Sequence, residues 1–255
     1  MNLRFGAIQD AVKVVVEQVT GCRIYRDTIP YGTDCYMDIK RRFGREGIKV
    51  IFDVGANVGQ SAIVYRREFP KAEIYSFEPV SEIYRELVAA TRQFPRIHTY
   101  KLAMGRESGR AVINVSPICT RSSIRLKRHD DSPESVVVDT VADFAQRLRI
   151  ERIDFLKVDT EGYDLEVLAG AAPLLRDQRV HFVLSECAPV AHPGNEETFV
   201  SFAAMAEFLG GFGYRVFGVY EQQPDWGLRN ELVYWNALFI CEKLIPKDSK
   251  LPSLA

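Results

Sequence analysis

The sequence predicts an α/β protein built on a doubly wound, mostly parallel sheet, with helices on both faces and an antiparallel last strand. The run Val50-Ile51-Phe52-Asp53-Val54 has the length and apolar character of a fully buried strand, and it breaks at Gly55 into a glycine-bearing turn and a helix. Ile74-Tyr75-Ser76-Phe77 repeats the pattern one βα unit later and ends in the carboxylate of Glu78. Strand ends then recur at Asp53, Glu78 and Ala103, with the separation that parallel crossover connections require. In such a sheet the carboxyl ends of the strands form the ligand crevice.

Apolar spacing from Ile8 to Val19 predicts an amphipathic helix, followed by a Gly/Pro/Tyr-rich passage, Tyr25 to Gly32, and the basic stretch Lys40-Arg41-Arg42. Residues 1–46 therefore read as an N-terminal helical cap outside the main domain. Such a segment can cover the sheet edge, cap the pocket, or pack against another subunit of a homo-oligomer. The main domain, 47–245, opens with strand Lys49–Val54, helix Gln60–Glu68, strand Glu73–Phe77, helix Ser81–Arg92 and strand His98–Ala103. The Ser81 hydroxyl suits a helix start, where it satisfies an early N–H. An insertion follows, with a short strand Gly109–Ser116 and a basic, exposed segment Arg121–Asp131. Strand Ser135–Val138, helix Val141–Arg149, buried strand Asp154–Val158 and helix Tyr163–Ala169 come next. Strand Val180–Leu184, helix Thr198–Gly210 and strands Arg215–Val219 and Tyr234–Cys241 complete the sheet, the last entering antiparallel in a hairpin with its predecessor. Residues 246–255, with two prolines and little periodicity, read as a loose tail.

A chain of 255 residues that is 47% hydrophobic can bury one sizeable core. A formal net charge of -1 gives no electrostatic reason to expect a nucleic-acid partner. No stretch approaches the roughly 20 apolar residues that span a bilayer, and no signal-peptide pattern is present. The five cysteines, at 22, 35, 119, 187 and 241, include no Cys-x-x-Cys pair, so neither a disulfide framework nor a structural zinc site is expected. Cys187 and Cys241 read as packed thiols, and the chain as cytoplasmic.

Gly55 and Gly59 permit a tight turn and a close backbone approach to a ligand. Glu78 is placed to accept hydrogen bonds from two ribose hydroxyls. A dinucleotide fingerprint would be Gly-x-G-x-x-Gly, but its three positions here hold Gly55, Asn57 and Gln60. The pattern fits Asp-x-Gly-x-x-x-Gly better, with Asp53 facing a cationic ligand end such as that of a sulfonium cofactor with an amino-acid tail. At the end of the buried strand, Asp159 and Glu161 share a face if the backbone stays extended, and can converge on one acceptor hydroxyl. The plainer alternative makes one of them a helix cap or a partner of Lys157.

Asp53-Val54-Gly55-Ala56-Asn57-Val58-Gly59-Gln60, Phe77-Glu78-Pro79 and Ile153-Asp154-Phe155-Leu156-Lys157-Val158-Asp159-Thr160-Glu161-Gly162, in that order, resemble the three motifs of the FkbM-like family of S-adenosylmethionine-dependent O-methyltransferases. The resemblance covers roughly Val50 to Gly170. It implies a Rossmann-like methyltransferase sheet, S-adenosylmethionine as cofactor, and a sugar or polyketide hydroxyl as acceptor, on a glycan, glycolipid or glycosylated natural product. The cofactor residues it suggests are Asp53, Gly55, Asn57, Gly59, Glu78, Pro79 and Ala103, together with Ser122 in a serine-bearing loop whose other reading is turn chemistry. Tyr163 departs from the family pattern and is expected to shape the acceptor site.

Methyl transfer to a hydroxyl needs alignment, exclusion of water and removal of a proton. Asp159 is the first candidate base, Glu161 the group that orients the hydroxyl, and His192, in a Pro/Gly-bearing loop, a second candidate base. Asp159, Glu186 and His192 could instead hold a metal; a metal-free base ranks above this, and no metal ligands are assigned. Tyr220, Trp226, Tyr234 and Trp235 offer flat faces to a sugar, and Arg121, Arg125, Lys127 and Arg128 a meeting point for an anionic substrate group. A nicotinamide-dependent oxidoreductase, which would use Glu78 in the same way, and a non-catalytic protein with a retained pocket are the alternatives.

Overall fold

The computed structural model describes residues 12–22, 25, 29–115, 132–189, 199–227 and 231–246. A helix over residues 12–20 (α1) precedes α2 (Cys35–Phe43). Then come β1 (Val50–Val54), α3 (Gln60–Glu68), β2 (Glu73–Phe77), α4 (Ser81–Thr91) and β3 (Ile97–Tyr100). After β4 (Ala103–Met104), β5 (Gly109–Val115) and β6 (Ser132–Asp139) the chain forms α5 (Val141–Arg147), β7 (Ile153–Val158), α6 (Asp164–Gly170) and α7 (Ala172–Arg176). It finishes with β8 (Val180–Ala188), β9 (Val200–Ser201), α8 (Phe202–Gly210), β10 (Tyr214–Asp225) and β11 (Glu231–Cys241).

The main sheet runs β10-β11-β8-β7-β1-β2-β3, with β9 on β8. The pairs from β8 across to β3 are parallel, and β11 lies antiparallel between β8 and β10. The doubly wound sheet with its inserted antiparallel strand is therefore the architecture the sequence predicts. Successive residues of a buried strand serve opposite faces. Phe52 and Leu156 join Phe144 of α5, Leu168 of α6, Leu175 of α7 and Leu209 of α8 on one side. Ile51 and Phe155 join Ile39 of α2 and Tyr65 of α3 on the other.

The structure departs from expectation in three places. The predicted strand His98–Ala103 is two strands: β3 closes the main sheet, and Ala103 belongs to β4 of a separate three-stranded sheet, β4-β6-β5. Ala103 is thus not a main-sheet strand end. It packs with Val80, Ile83 and Val138, against half-buried Val58. Second, α2 was hidden by its charges. Asp34 caps it by accepting from Met37 N–H at 2.9 Å, and its buried face, Cys35, Asp38 and Ile39, enters the core, so the second half of the N-terminal segment is part of the main fold. Third, α7 begins where Pro173 sits in the first helical turn, a tolerated position.

Cys187 and Cys241 are buried free thiols, as expected. Among the described residues no helix is long and apolar enough to cross a membrane.

At the amino end of the sheet, fully buried Asp154 ties β1 to β7. Its Oδ2 accepts from the N–H groups of Lys49 (2.7 Å) and Val50 (3.0 Å), its Oδ1 accepts from Arg152 Nε at 2.6 Å, and His181 Nδ1 lies 3.4 Å away. Burial pushes its pKa up, but His181, the two amides and Arg152 outweigh that and hold it below the usual carboxylate range. Asp154→Ala strands two backbone donors, so we expect a loss of about 3 kcal/mol, or roughly 6–12 °C in Tm. A depressed carboxyl stabilises the native state above its unfolded-state pKa and ceases to as pH falls through its native-state pKa. The variant should accordingly lose part of the acid limb of a pH–Tm profile; an unchanged Tm would show the cluster to be energetically idle.

Candidate active site

Parallel pairing of β1 with β7 sets Asp53 directly across from Lys157. The Lys157 ammonium donates to the Gly55 carbonyl at 2.9 Å, lies 3.1 Å from Asp159 Oδ2 and 3.6 Å from Asp53 Oδ1, the last an ion pair too long for a hydrogen bond. Asp53 has no exposed side-chain surface, and its Oδ2 accepts from the Ser61 hydroxyl of α3 at 2.7 Å. Burial pushes the Asp53 pKa up, with Lys157 and Ser61 opposing. Burial pulls Lys157 down, but Asp159 and Asp53 more than offset it and hold the ammonium above its ordinary value. The cation that faces Asp53 is therefore a side chain of this protein. Asp159, tethered to the same ammonium, keeps 41% of its side-chain surface accessible. One lysine thus joins a sealed carboxylate to an open one.

The turn between β1 and α3 is shaped by protein packing. Gly55 has φ +76°, and a Cβ there would sit 1.9 Å from the Asp159 carbonyl oxygen. Its small size is required by the close passage of the β7 end, whereas the sequence reading assigned that space to a ligand. Gly59, at φ +95°, opens α3 where a Cβ would press to 2.9 Å on Leu87 of α4. The turn's amides are all engaged. Gly55 and Ala56 N–H donate to Phe77 O, Asn57 N–H to Glu78 Oε2 at 3.2 Å, Val58 N–H to the Asn57 side chain, and Gly59 N–H to Ala56 O. No amide in the turn is left over to cradle a phosphate.

Glu78 leaves the end of β2 only 6% exposed. Its Oε1 accepts from Val80 N–H at 3.0 Å, and each oxygen retains a further lone pair. Burial, only partly opposed by the Val80 and Asn57 amides, raises its pKa to about 7. Pro79 links Glu78 to Val80, where α4 begins.

Beyond Asp159 the backbone turns: Glu161 has φ +52°, and Tyr163 N–H donates to Thr160 O. Asp159 and Glu161 therefore do not share the face of an extended strand, correcting that expectation. They nevertheless belong to one acidic group. Burial, with Asp159, Glu161 and Asp164 close by, raises Glu186 of β8 to about 8, and burial with Asp159 raises Asp164 to about 6. Asp164 accepts from the Ser185 hydroxyl at 3.3 Å. Tyr234 of β11 feels burial first and then Glu186, Asp159 and Glu161, and its ring stacks on Phe199 at 5.3 Å. Tyr163 sits over Gly105, where an added Cβ would meet its ring at 3.5 Å.

Tyr220, one of the flat faces considered for a sugar, is instead core: it is 3% exposed and donates to Asp38 of α2 at 3.1 Å. Trp235 packs against Phe202, while Trp226 is 62% exposed. Ser122, His192 and the basic residues Arg121, Arg125, Lys127 and Arg128 lie outside the described residues. Among the described residues no three His, Cys, Asp or Glu side chains are grouped to hold a metal ion. Sequence reasoning placed Lys157 only as an alternative partner of Asp159 or Glu161. The available signal was a lysine inside an otherwise apolar strand, two residues before an aspartate and so on its face.

Lys157→Met leaves Asp53 buried without its counter-charge. We expect a loss of about 3–5 kcal/mol in urea unfolding, with most of it recovered in Lys157→Met/Asp53→Asn. Additive losses in that double-mutant cycle would refute the coupling.

Residues 53–216, more than half of the chain, match the family described as Methyltransferase FkbM domain. Hexuronic acid methyltransferase AglP of Haloferax volcanii is 27% identical over 161 residues, 62% of this chain and 63% of that protein. Methyltransferase 1 of Beauveria bassiana is 23% identical over 198 residues, 69% of this chain and 75% of that protein. Methyltransferase FkbM from Methylobacillus flagellatus KT, a crystal structure, superposes with a TM-score of 0.52 at 16% identity over 76% of this chain and 43% of that one, a likeness of fold. The chain thus spans less than two thirds of AglP and under half of the Methylobacillus chain. From its strand order, its three motif-bearing strand ends and the match across them, the chain belongs to the FkbM methyltransferase domain family.

Proposed function

We propose that this protein is an S-adenosylmethionine-dependent O-methyltransferase acting on a hydroxyl, on a sugar of a glycan, glycolipid or glycosylated natural product. The observation that carries the reading is the pairing of a ribose-type carboxylate, Glu78, with a glycine turn whose amides are already satisfied. A dinucleotide would need those amides for its pyrophosphate. A nucleoside without phosphates does not, which favours S-adenosylmethionine over a nicotinamide cofactor. The carbohydrate acceptor draws support from a relative named as a hexuronic acid methyltransferase.

In this reading Glu78 holds the ribose hydroxyls, Asn57 and Pro79 flank them, and the Gly55–Gly59 turn with Asp53 beneath it supports the amino-acid end. Bound S-adenosylmethionine supplies an electrophilic methyl group. The chain's own residues do the rest. The exposed carboxylate of Asp159 accepts the proton of the acceptor hydroxyl, Lys157 fixes its position, and Glu161 orients the acceptor. Glu186, raised to about 8, is a neutral donor near pH 7 that can hydrogen-bond a second hydroxyl. Tyr234, stacked on Phe199, offers a ring face to a sugar.

Two measurements test this. Glu78→Ala should weaken S-adenosylhomocysteine binding about 30- to 150-fold, the equivalent of roughly 2–3 kcal/mol of charge-assisted hydrogen bonding. With the Glu78 pKa at about 7 in the free protein, donors on the ligand favour the ionised form. Wild-type affinity should therefore tighten up to about tenfold from pH 6 to pH 8 and then level off, while Glu78→Gln stays flat. Calorimetry showing a pH-independent wild type, or preferential binding of NAD, would overturn the cofactor reading. On a hydroxylated acceptor, Asp159→Asn should keep cofactor affinity within a few-fold and cut methyl transfer by about 100-fold or more. Full turnover by that variant would remove Asp159 from the role of base.

A further inference from the structure

The loop that carries Glu78 into α4 is held by a residue 53 positions beyond Ser81. α4 opens without a cap of its own: Val80 stands at the N-cap with no side-chain oxygen to offer, and Ser81 is the first helical residue. Glu134, on β6 of the small sheet, supplies what is missing. Its Oε1 and Oε2 lie 3.1 Å and 3.2 Å from the Ser81 nitrogen and accept that N–H between them, and Oε1 also accepts from the Ser81 hydroxyl. Lys101 donates to the same hydroxyl oxygen and lies 3.2 Å from Glu134 Oε1. Burial pushes the Glu134 carboxyl up, but Ser81 and Lys101 outweigh that and hold it below the usual carboxylate range, so the group is ionised near neutral pH. The small sheet also backs the loop from below, where buried Val80 packs with Ile113 of β5 and Val136 and Val138 of β6.

Two consecutive amides thus go to two different carboxylates, Val80 N–H to Glu78 and Ser81 N–H to Glu134. Resting on the ribose role given to Glu78 above, we propose that Glu134 is a positioning residue for the cofactor. It acts through Glu78: by taking both Ser81 donors it leaves Glu78 its bond to Val80 and keeps the remaining lone pairs open for the ribose. With no acceptor at position 134, the Ser81 N–H and hydroxyl stand one residue beyond Glu78's own partner and compete for its carboxylate, which has almost no water to turn to. Such competition acts twice, since it rotates the carboxylate and fills a lone pair. The hold is of the strong kind, an ionised acceptor on a backbone donor, and its charge complements the positive end of α4. Because the Glu134 side chain keeps 25% of its surface accessible, its truncation opens no core cavity, and the effect on the loop can be read in a folded protein.

The test is calorimetry of the full chain with S-adenosylhomocysteine, joined to hydrogen exchange of the free protein. Glu134→Ala should weaken binding about 5- to 20-fold, and Glu134→Gln, which keeps an acceptor oxygen, should stay within about threefold of wild type. In a Glu78→Ala background, Glu134→Ala should change affinity by less than about twofold, because the group it positions is gone. Additive losses in that cycle, or a Glu134→Ala protein with a lower Tm and wild-type affinity, would make Glu134 a helix cap alone and overturn the proposal. Exchange reads the same contact without ligand. The Val80 amide should exchange at least about tenfold faster in Glu134→Ala and at the wild-type rate in Glu134→Gln. Unchanged Val80 protection in Glu134→Ala also overturns the proposal. A Glu78→Ala variant that binds S-adenosylhomocysteine normally, alongside faster Val80 exchange in Glu134→Ala, refutes the ribose role of Glu78 and not the hold of Glu134 on the loop.

Discussion

The Lys157 ammonium is the point on which the site depends. A carboxylate with no solvent contact, such as Asp53, is costly unless a counter-charge stands beside it. Here that counter-charge comes from the neighbouring parallel strand, at the residue directly across the ladder. Because the same ammonium also binds the Gly55 carbonyl and Asp159, the turn, the sealed acid and the open acid cannot move independently. The fit of Gly55 against the Asp159 carbonyl closes the arrangement from the other side. Charge and steric contact therefore hold the ends of β1 and β7 in one geometry before any ligand arrives, the preorganisation a site for aligned transfer needs.

The carboxylates around this point differ in their hold on a proton because their surroundings differ. Glu78 and Glu186 are pushed up by burial, to about 7 and about 8, so near neutrality one sits at its midpoint and the other holds its proton. Asp159 keeps an open face and an ammonium partner. Burial at the carboxyl ends of the strands thus sets Glu78 and Glu186 apart from ordinary carboxylates.

What could be read from the sequence followed the range of the interaction that decides each feature. β1, β2, β7 and β8 were legible because a buried parallel strand is a local apolar run, and the inserted antiparallel strand because its hairpin partner is next in the chain. The cap of α2 was also local, yet the helix was missed: its inward face is narrow and includes Asp38, and Lys40-Arg41-Arg42 masked the period. Ala103 was misplaced because two bonded registers divide the stretch after His98, and the second depends on β6, some thirty residues on. Gly55 was recognised as a tight-turn glycine, and its φ of +76° agrees, but the atom its missing side chain makes room for belongs to residue 159. The Lys157 contact with Asp53 is likewise a product of register between strands a hundred residues apart.

The position of β11 has a consequence for how the molecule comes into being. It lies between β8 and β10, so the last strand among the described residues fills a gap in the interior of the sheet. Until residues 231–241 emerge from the ribosome, β8 keeps an unpaired edge and β10 has no neighbour to join. Between the completion of β8 and that of β11 the nascent chain therefore carries an open, apolar strand edge, the kind of surface that invites pairing with another chain. Closure of that edge is a long-range step, slow relative to the local βα units that precede it. The same insertion that completes the native sheet makes the interval between synthesis of β8 and of β11 a period in which that edge needs protection from aggregation.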